Sequence, residues 1–108
     1  MVETILNGPR KIGFSKWYSK LEKQAFTTIR RYDHYEVGQV YLITTTRGAF
    51  YARLARKEKQ TLKDIPTTFL LRDTDCETRK EALQLLNSFY RKPIEENEKL
   101  TILYLEKI

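Results

Sequence analysis

Cysteine and histidine are almost missing from this chain: its 108 residues include one of each, Cys76 and His34. One thiol cannot close an intramolecular disulfide, and one thiol with one imidazole falls short of the ligand set of a structural zinc site, so neither staple holds the fold. A solitary cysteine suits a reducing compartment, and the cytoplasm is the expected location. Long apolar runs are missing as well. The longest, residues 40–43 and 68–71, are far shorter than the about 20 apolar residues that span a bilayer, so a soluble protein with no membrane partner is expected. Residues 1–10, with Glu3, Asn7, Gly8 and Pro9, contain no apolar core of signal-peptide length and carry no readable export signal.

What is present suffices for one domain. Apolar residues make up 41% of the chain and aromatics 12%, enough for one modest core, and the 31% charged residues are interleaved with them rather than blocked as in a disordered segment. We read residues 1–10 as a short N-terminal segment and 11–108 as one domain. The net charge is +6 and it is segregated. Arg10, Lys11, Lys16, Lys20, Lys23, Arg30 and Arg31 face Glu22 alone over residues 10–31, and Arg47, Arg53, Arg56, Lys57, Lys59 and Lys63 face Glu58 over 47–63. The tail is acidic, with Glu95, Glu96, Glu98 and Glu106 against Lys99 and Lys107. A clustered positive field suits a polyanionic partner. The plainer alternative is a thermophile-like surface rich in Lys, Glu and Arg.

Along the chain, residues 2–6 read as an edge strand or loosely held terminus before the Gly8-Pro9 turn, and residues 11–14 as a short strand. Ser15 is a candidate N-cap for an amphipathic, basic helix reaching about Lys23, because Phe14, Trp17, Tyr18 and Leu21 fall at i, i+3, i+4 and i+7. Trp17 belongs to the core in this reading. Residues 26–31 form a strand with Phe26, Thr28 and Arg30 on one face and Thr27, Ile29 and Arg31 on the other. A loop at 32–36 and a turn at Val37-Gly38-Gln39 lead into a strand at 40–45, a hairpin turn at Arg47-Gly48, and a half-buried strand from Phe50. The charge run 53–59 reads as a strand end and solvated loop. Residues 61–65 form a turn or short helix, and 66–71 a short helix unless 68–71 is a strand. Thr78 and Glu81 make a capping box for a helix over 78–91 whose core stripe is Ala82, Leu85, Leu86 and Phe89. Residues 99–106 close the fold as a central strand with apolar residues on both faces. No repeat is visible.

This order, with Phe26-Thr27-Thr28-Ile29-Arg30 followed by Glu36-Val37-Gly38-Gln39-Val40, resembles the ASCH family of PUA-like domains over residues 12–108. The resemblance implies an α+β fold, a small mostly antiparallel β-barrel with two or three helices at its rim, and an RNA-holding cleft between barrel and helices. The family's Gly-x-Lys motif, placed by counting back from Arg30, falls with Lys23 at the glycine and Ala25 at the lysine, so the motif lysine is absent; Lys23 is the nearest substitute. One branch of the family is similar to amidohydrolases that deacylate a modified cytidine. For that activity Thr28 matches the threonine nucleophile, Asp73 or Asp75 the carboxylate, and Lys23 would have to replace the lysine that activates the hydroxyl.

Nucleic-acid binding asks for cations, exposed aromatic faces and a few hydrogen-bonding groups. Lys16, Lys20, Lys23, Arg30 and Arg31 lie on neighbouring segments and are expected to line a groove for phosphate. Thr28 is placed against a base or sugar. Tyr32, Tyr35 and Tyr51 are candidate stacking platforms, with Arg53 on the face of Tyr51; ordinary core packing is the alternative for each tyrosine. Arg30 shares a face with Phe26, so it either pairs with Asp73 or Asp75 or waits for an anionic ligand. His34 with Arg30 and Arg31 would be the makings of a weak ribonuclease, although a loop histidine is more often a surface residue. An adaptor would instead use an apolar edge at Leu70 and Leu71. The expectation is an RNA-binding module, monomeric by default, that needs no cofactor or metal.

Overall fold

Five segments pair into one sheet in a computed structural model that describes residues 10–108: β1 (Arg10–Gly13), β2 (Ala25–Arg30), β3 (Val40–Thr45), β4 (Gly48–Thr61) and β5 (Lys99–Lys107). The strand and turn read within residues 2–9 lie outside the described residues. The sheet order is β1-β3-β4-β5-β2, with β1 parallel to β3 and the other neighbours antiparallel. Two helices, α1 (Thr67–Thr74) and α2 (Arg79–Ser88), complete a small α+β fold, joined by short 3-10 turns at Ser19–Glu22 and Leu62–Asp64. Among the described residues no ladder joins β1 to β2, so the sheet is mixed and not closed into a barrel. No described helix is long and apolar enough to cross a membrane.

The β3–β4 hairpin turns at Thr46-Arg47, where the Thr45 hydroxyl donates to the Gly48 carbonyl and accepts from the Arg47 amide. Gly48 has φ +122°, a backbone state that a side chain would disfavour. β4 continues past the alternating Ala52 and Leu54 to Thr61, so the charge run is strand, not loop. The reason is β5, whose residues 99–107 pair with β4 almost end to end across a register shift between Leu54 and Arg56. β5 is buried on both faces, as its two-sided apolar pattern predicts. Leu103 and Leu105 join Ile12, Phe26, Tyr41, Ile43 and Leu54 in one core; Leu100 and Ile102 join Ile29, Leu70, Ala82 and Leu86 in another, beneath the helices. Each fully buried aliphatic side chain of this kind stabilises by roughly 1.5–3 kcal/mol. Leu70 is therefore core, not an adaptor edge, and Leu71 is half-buried against the same residues.

Two helix expectations shift. The capping box of Thr78 and Glu81 is present, but α2 ends at Ser88, three residues early, which leaves Phe89 outside the core stripe and 47% exposed. The expected basic helix from Ser15 is only the single 3-10 turn, because Tyr18 is extended (φ −113°, ψ 142°). Tyr18 and Leu21 still reach the core, and Phe14 and Trp17 pack against it. All four anchors thus reach one core from a largely extended segment, so tertiary packing overrides the 3.6-residue periodicity.

Arg31 staples the end of β2 to the loop before β5. Its Nε and Nη2 donate to Glu98 at 2.6 and 2.9 Å, its Nη1 donates to the Lys92 carbonyl at 2.6 Å, and the guanidinium lies over the Tyr90 ring. The guanidinium holds the Glu98 carboxyl below its ordinary range. A depressed carboxyl contributes stability that is complete above the unfolded-state range of glutamate and is lost as pH falls through the lower, folded-state range. Glu98→Gln should therefore lower the thermal midpoint at neutral pH and flatten the acid limb of a stability–pH curve; superimposable curves for the two proteins would refute the staple. Thr101 has the opposite fault. It is 0% exposed and its hydroxyl has no hydrogen-bond partner. An unmet buried hydroxyl costs about 1–3 kcal/mol, so isosteric Thr101→Val should raise stability by about 1 kcal/mol in denaturant titration.

Candidate functional site

The segment between β1 and β2 carries a 3-10 turn that is clamped to the end of α1 by two carboxylates. The Asp75 carboxylate accepts from the Ser19 amide at 2.7 Å and from the Ser19 hydroxyl at 2.6 Å. Asp75 caps the C-terminal end of α1 in the left-handed conformation (φ 57°). One residue on, Lys20 points inward. Its Nζ lies 3.0 Å from Asp73 Oδ1, and both side chains are nearly buried, 7% and 4% exposed. The Thr27 hydroxyl donates to the same oxygen at 2.7 Å, so one carboxylate of α1 holds both the turn and β2.

This pair forms one wall of a cleft of about 270 Å³ at the seam between the two cores. Phe14 and Tyr18 line it from one side, Ile29, Leu86 and Tyr90 from the other, with Phe89 among the lining residues as well. Thr28 and Arg30 line it from β2. The Arg30 guanidinium donates from Nε to the Thr28 hydroxyl oxygen at 3.2 Å and from Nη2 to the Gly13 carbonyl at 3.1 Å, and it lies over the Phe14 ring. No carboxylate pairs with Arg30 among the described residues; of its two expected fates, pairing with Asp73 or Asp75 is ruled out. Burial pulls the Lys20 ammonium below its ordinary range, Asp73 pulls it back up, and the charge of Arg30 depresses it further. Lys20 also lies over the rings of Phe14 and Tyr18, which face the cation with their π clouds.

Of the residues singled out from the sequence, Lys20, Thr28, Arg30 and Asp73 meet in this cleft. The others do not line it. Lys23 is exposed and turns to a different hollow, so the inward lysine is Lys20. Asp75 anchors the turn rather than facing the cleft. Arg31 is held by Glu98 and by backbone carbonyls, which removes it from the phosphate-binding set. Arg53 donates to the Gly38 carbonyl at 2.8 Å, and Tyr51, 50% exposed, lies away from the cleft. Lys16 is exposed, 5.0 Å from the Tyr18 ring centre and beside the cleft wall. Tyr32 is 60% exposed and packs edge-on against Tyr90, while Tyr35 is half-buried between His34 and Tyr41. His34 is exposed and does not line the cleft.

Sequence reading missed the aromatic walls. Phe14 and Tyr18 were assigned to core alone, and Phe89 to a helix stripe that stops one residue before it. The available signal was the run Ser88-Phe89-Tyr90, two aromatics just before a helix-stopping Lys92-Pro93. Among the described residues no three His, Cys, Asp or Glu side chains converge as a metal site.

No family model matches the chain, and no solved structure matches it. It is similar to the uncharacterized protein MJ0364 of Methanocaldococcus jannaschii, 37% identical over 112 residues that cover 91% of this chain and 96% of the relative.

Removing one partner of a buried ion pair leaves an uncompensated charge, at about 3–5 kcal/mol. Asp73→Ala should lower stability on that scale and Thr27→Val by less. Combining Asp73→Ala with Lys20→Met should recover most of the loss, as read by chemical denaturation. No recovery in the double variant would mean that Asp73 acts through something other than Lys20.

Proposed function

This chain belongs to the same family as the Methanocaldococcus jannaschii protein, and from its cleft we propose an ASCH-like nucleic-acid-binding module that takes one unstacked base of a single strand, RNA first. In this reading the open five-stranded sheet stands where that family has a barrel, and its edge strands, β1 and β2, both border the cleft. The observation that carries the reading is Arg30, a cation with no carboxylate partner among the described residues, set over an aromatic ring in the wall of a hollow of about 270 Å³. That volume is below the roughly 300–1,000 Å³ of sites for drug-sized ligands, which suits a nucleobase or nucleoside and not a duplex. Single strands are held by aromatic faces and guanidinium planes on which bases stack, with nearby cations meeting the phosphates. Phe14, Phe89 and Tyr90 supply the faces, Tyr32 extends them outward against Tyr90, and Lys16 and Arg30 supply charge at the cleft.

A second reading is favoured by one specific feature, a buried lysine of depressed pKa lining the same cleft as the Thr28 hydroxyl. As an amidohydrolase of acylated nucleosides, the protein would use Thr28 Oγ1 to attack the amide carbonyl, with neutral Lys20 taking the hydroxyl proton and passing it to the departing amine; water would then cleave the acyl ester. Lys20 would thereby replace the motif lysine whose position Ala25 occupies. The Thr28 oxygen already accepts from Arg30, and no hydrogen bond joins it to Lys20, so binding is the better supported of the two.

Fluorescence titration with single-stranded RNA, single-stranded DNA and duplex RNA across a salt series should show tight binding of single strands, with log affinity falling linearly against log salt. Arg30→Ala should weaken binding at least about tenfold, and Phe89→Ala by about 1–3 kcal/mol, the worth of one stacked base. Salt-independent or absent binding by the unaltered protein removes the reading. Release of acetate from acetylated cytidine, abolished by both Thr28→Ala and Lys20→Met, would establish the hydrolase in its place.

A further inference from the structure

The buried pair has a second side. Lys20 and Asp73 also wall a separate hollow of about 240 Å³, lined from β2 by Thr27 where the first cleft is lined by Thr28 and Arg30. Its electrostatics differ from those of the cleft. Asp73 is already met by Lys20 at 3.0 Å and by the Thr27 hydroxyl at 2.7 Å, so the one carboxylate of the hollow is answered internally. Two more cations line it: Lys23, just after the 3-10 turn, and Arg72, on α1. Both are exposed, and neither has a carboxylate partner among the described residues. The half-buried Phe69 ring supplies an apolar wall beside them. Close cations can share one carboxylate in this fold, as Lys57 and Lys59 do on Asp33. Here two cations from different elements share a concave surface whose one lining carboxylate, Asp73, is already committed to Lys20.

We propose that this hollow is a phosphate subsite, in which the Arg72 guanidinium and the Lys23 ammonium hold the phosphodiester next to the nucleotide whose base enters the first cleft. The proposal rests on the binding reading above for the strand, but not for the phosphate. A guanidinium fork matches two phosphate oxygens and a lysine adds a point charge, so this pair selects phosphate over a lone halide. Because the two hollows share the Lys20–Asp73 wall, a strand occupying both would straddle it.

The test uses the full chain and the variants Lys23→Ala, Arg72→Ala and the two combined, all at exposed positions and expected to melt with the parent. With single-stranded RNA, each single variant should lower affinity and reduce the log–log salt slope by about 0.7, and the double by about 1.4, the increment for one and two phosphate contacts on a single strand. In a parallel NMR titration, inorganic phosphate should shift the Arg72 Nε signal and the amides around Lys23, and the double variant should lose the response. If the double variant keeps the parent affinity and slope while Arg30→Ala still weakens binding, the subsite is wrong and the cleft reading stands. If the unaltered protein ignores RNA, yet phosphate shifts these signals and uridine monophosphate binds more tightly than uridine, the subsite stands with a free nucleotide as its ligand and the strand reading falls. No response to either RNA or phosphate overturns the subsite.

Discussion

A lysine and an aspartate, each over nine-tenths hidden from solvent, hold together the face of this protein that carries the candidate site. Desolvating two charges costs several kcal/mol per ion before their attraction is counted, so such a pair is a poor way to gain net stability. What it supplies is position. Asp73 receives the turn through Lys20 and β2 through Thr27, and Asp75, two residues along, receives Ser19 from the same turn. Two pieces of chain, the 3-10 turn and β2, are thus registered against α1 by two carboxylates. Both hollows beside the sheet take their shape from that registration, because each has the pair in its wall.

The distribution of charge follows from the same economy of partners. The sequence is strongly basic from residues 10 to 63, but much of that charge is answered within the fold. Lys57 and Lys59 share Asp33 and so fix the loop after β2 to β4, Arg31 is forked onto Glu98, and Arg53 closes on a turn carbonyl. Those cations order loops and strand ends, and they are poor candidates for a mobile polyanion. Among the described residues, the charges near the hollows without a carboxylate partner are Arg30, Lys16, Lys23 and Arg72. The positive field open to a proposed ligand is therefore smaller and more local than the composition suggests, and it lies around the 3-10 turn, the end of β2 and the neighbouring face of α1.

Much of the sheet was legible in the sequence, because strand signals are local. The alternation from Phe50, the two-sided apolar run of β5 and the capping box of α2 each depend on a few adjacent residues and lie where their patterns place them, while the turn before β4 falls one residue early, at Thr46-Arg47 instead of Arg47-Gly48. Thr28, Arg30 and Asp73 were likewise identified as site candidates. The failures are those in which distant partners decide. Phe14, Trp17, Tyr18 and Leu21 have helical spacing, yet the one core they reach holds that segment as an extended chain with a single turn, and this selects Lys20 rather than Lys23 as the inward lysine. The role of Arg31 was hidden for a similar reason. Its partner, Glu98, lies 67 residues away in an acidic tail whose composition gave no hint of contact with β2.

Which of the two proposed roles the cleft suits, binding or reaction, turns on the protonation of Lys20. Burial and the neighbouring guanidinium favour the neutral amine, while Asp73 favours the ammonium, and the two influences act on the same atom. In the arrangement described here the amine is committed to Asp73, and the Thr28 oxygen is committed as an acceptor to Arg30. A hydroxyl that accepts from a guanidinium has its electron pair drawn toward a positive charge, which lowers its nucleophilicity. A base that is salt-bridged must first shed a proton that its partner stabilises. Reaction would need a ligand that breaks both commitments, drawing Arg30 away with an anionic group and leaving Lys20 neutral. Binding needs neither, since Arg30 can keep its contact with Thr28 while its planar face and remaining N–H groups meet a base or phosphate. The ground-state geometry thus favours recognition, with chemistry available only to a substrate that rearranges the cleft as it enters.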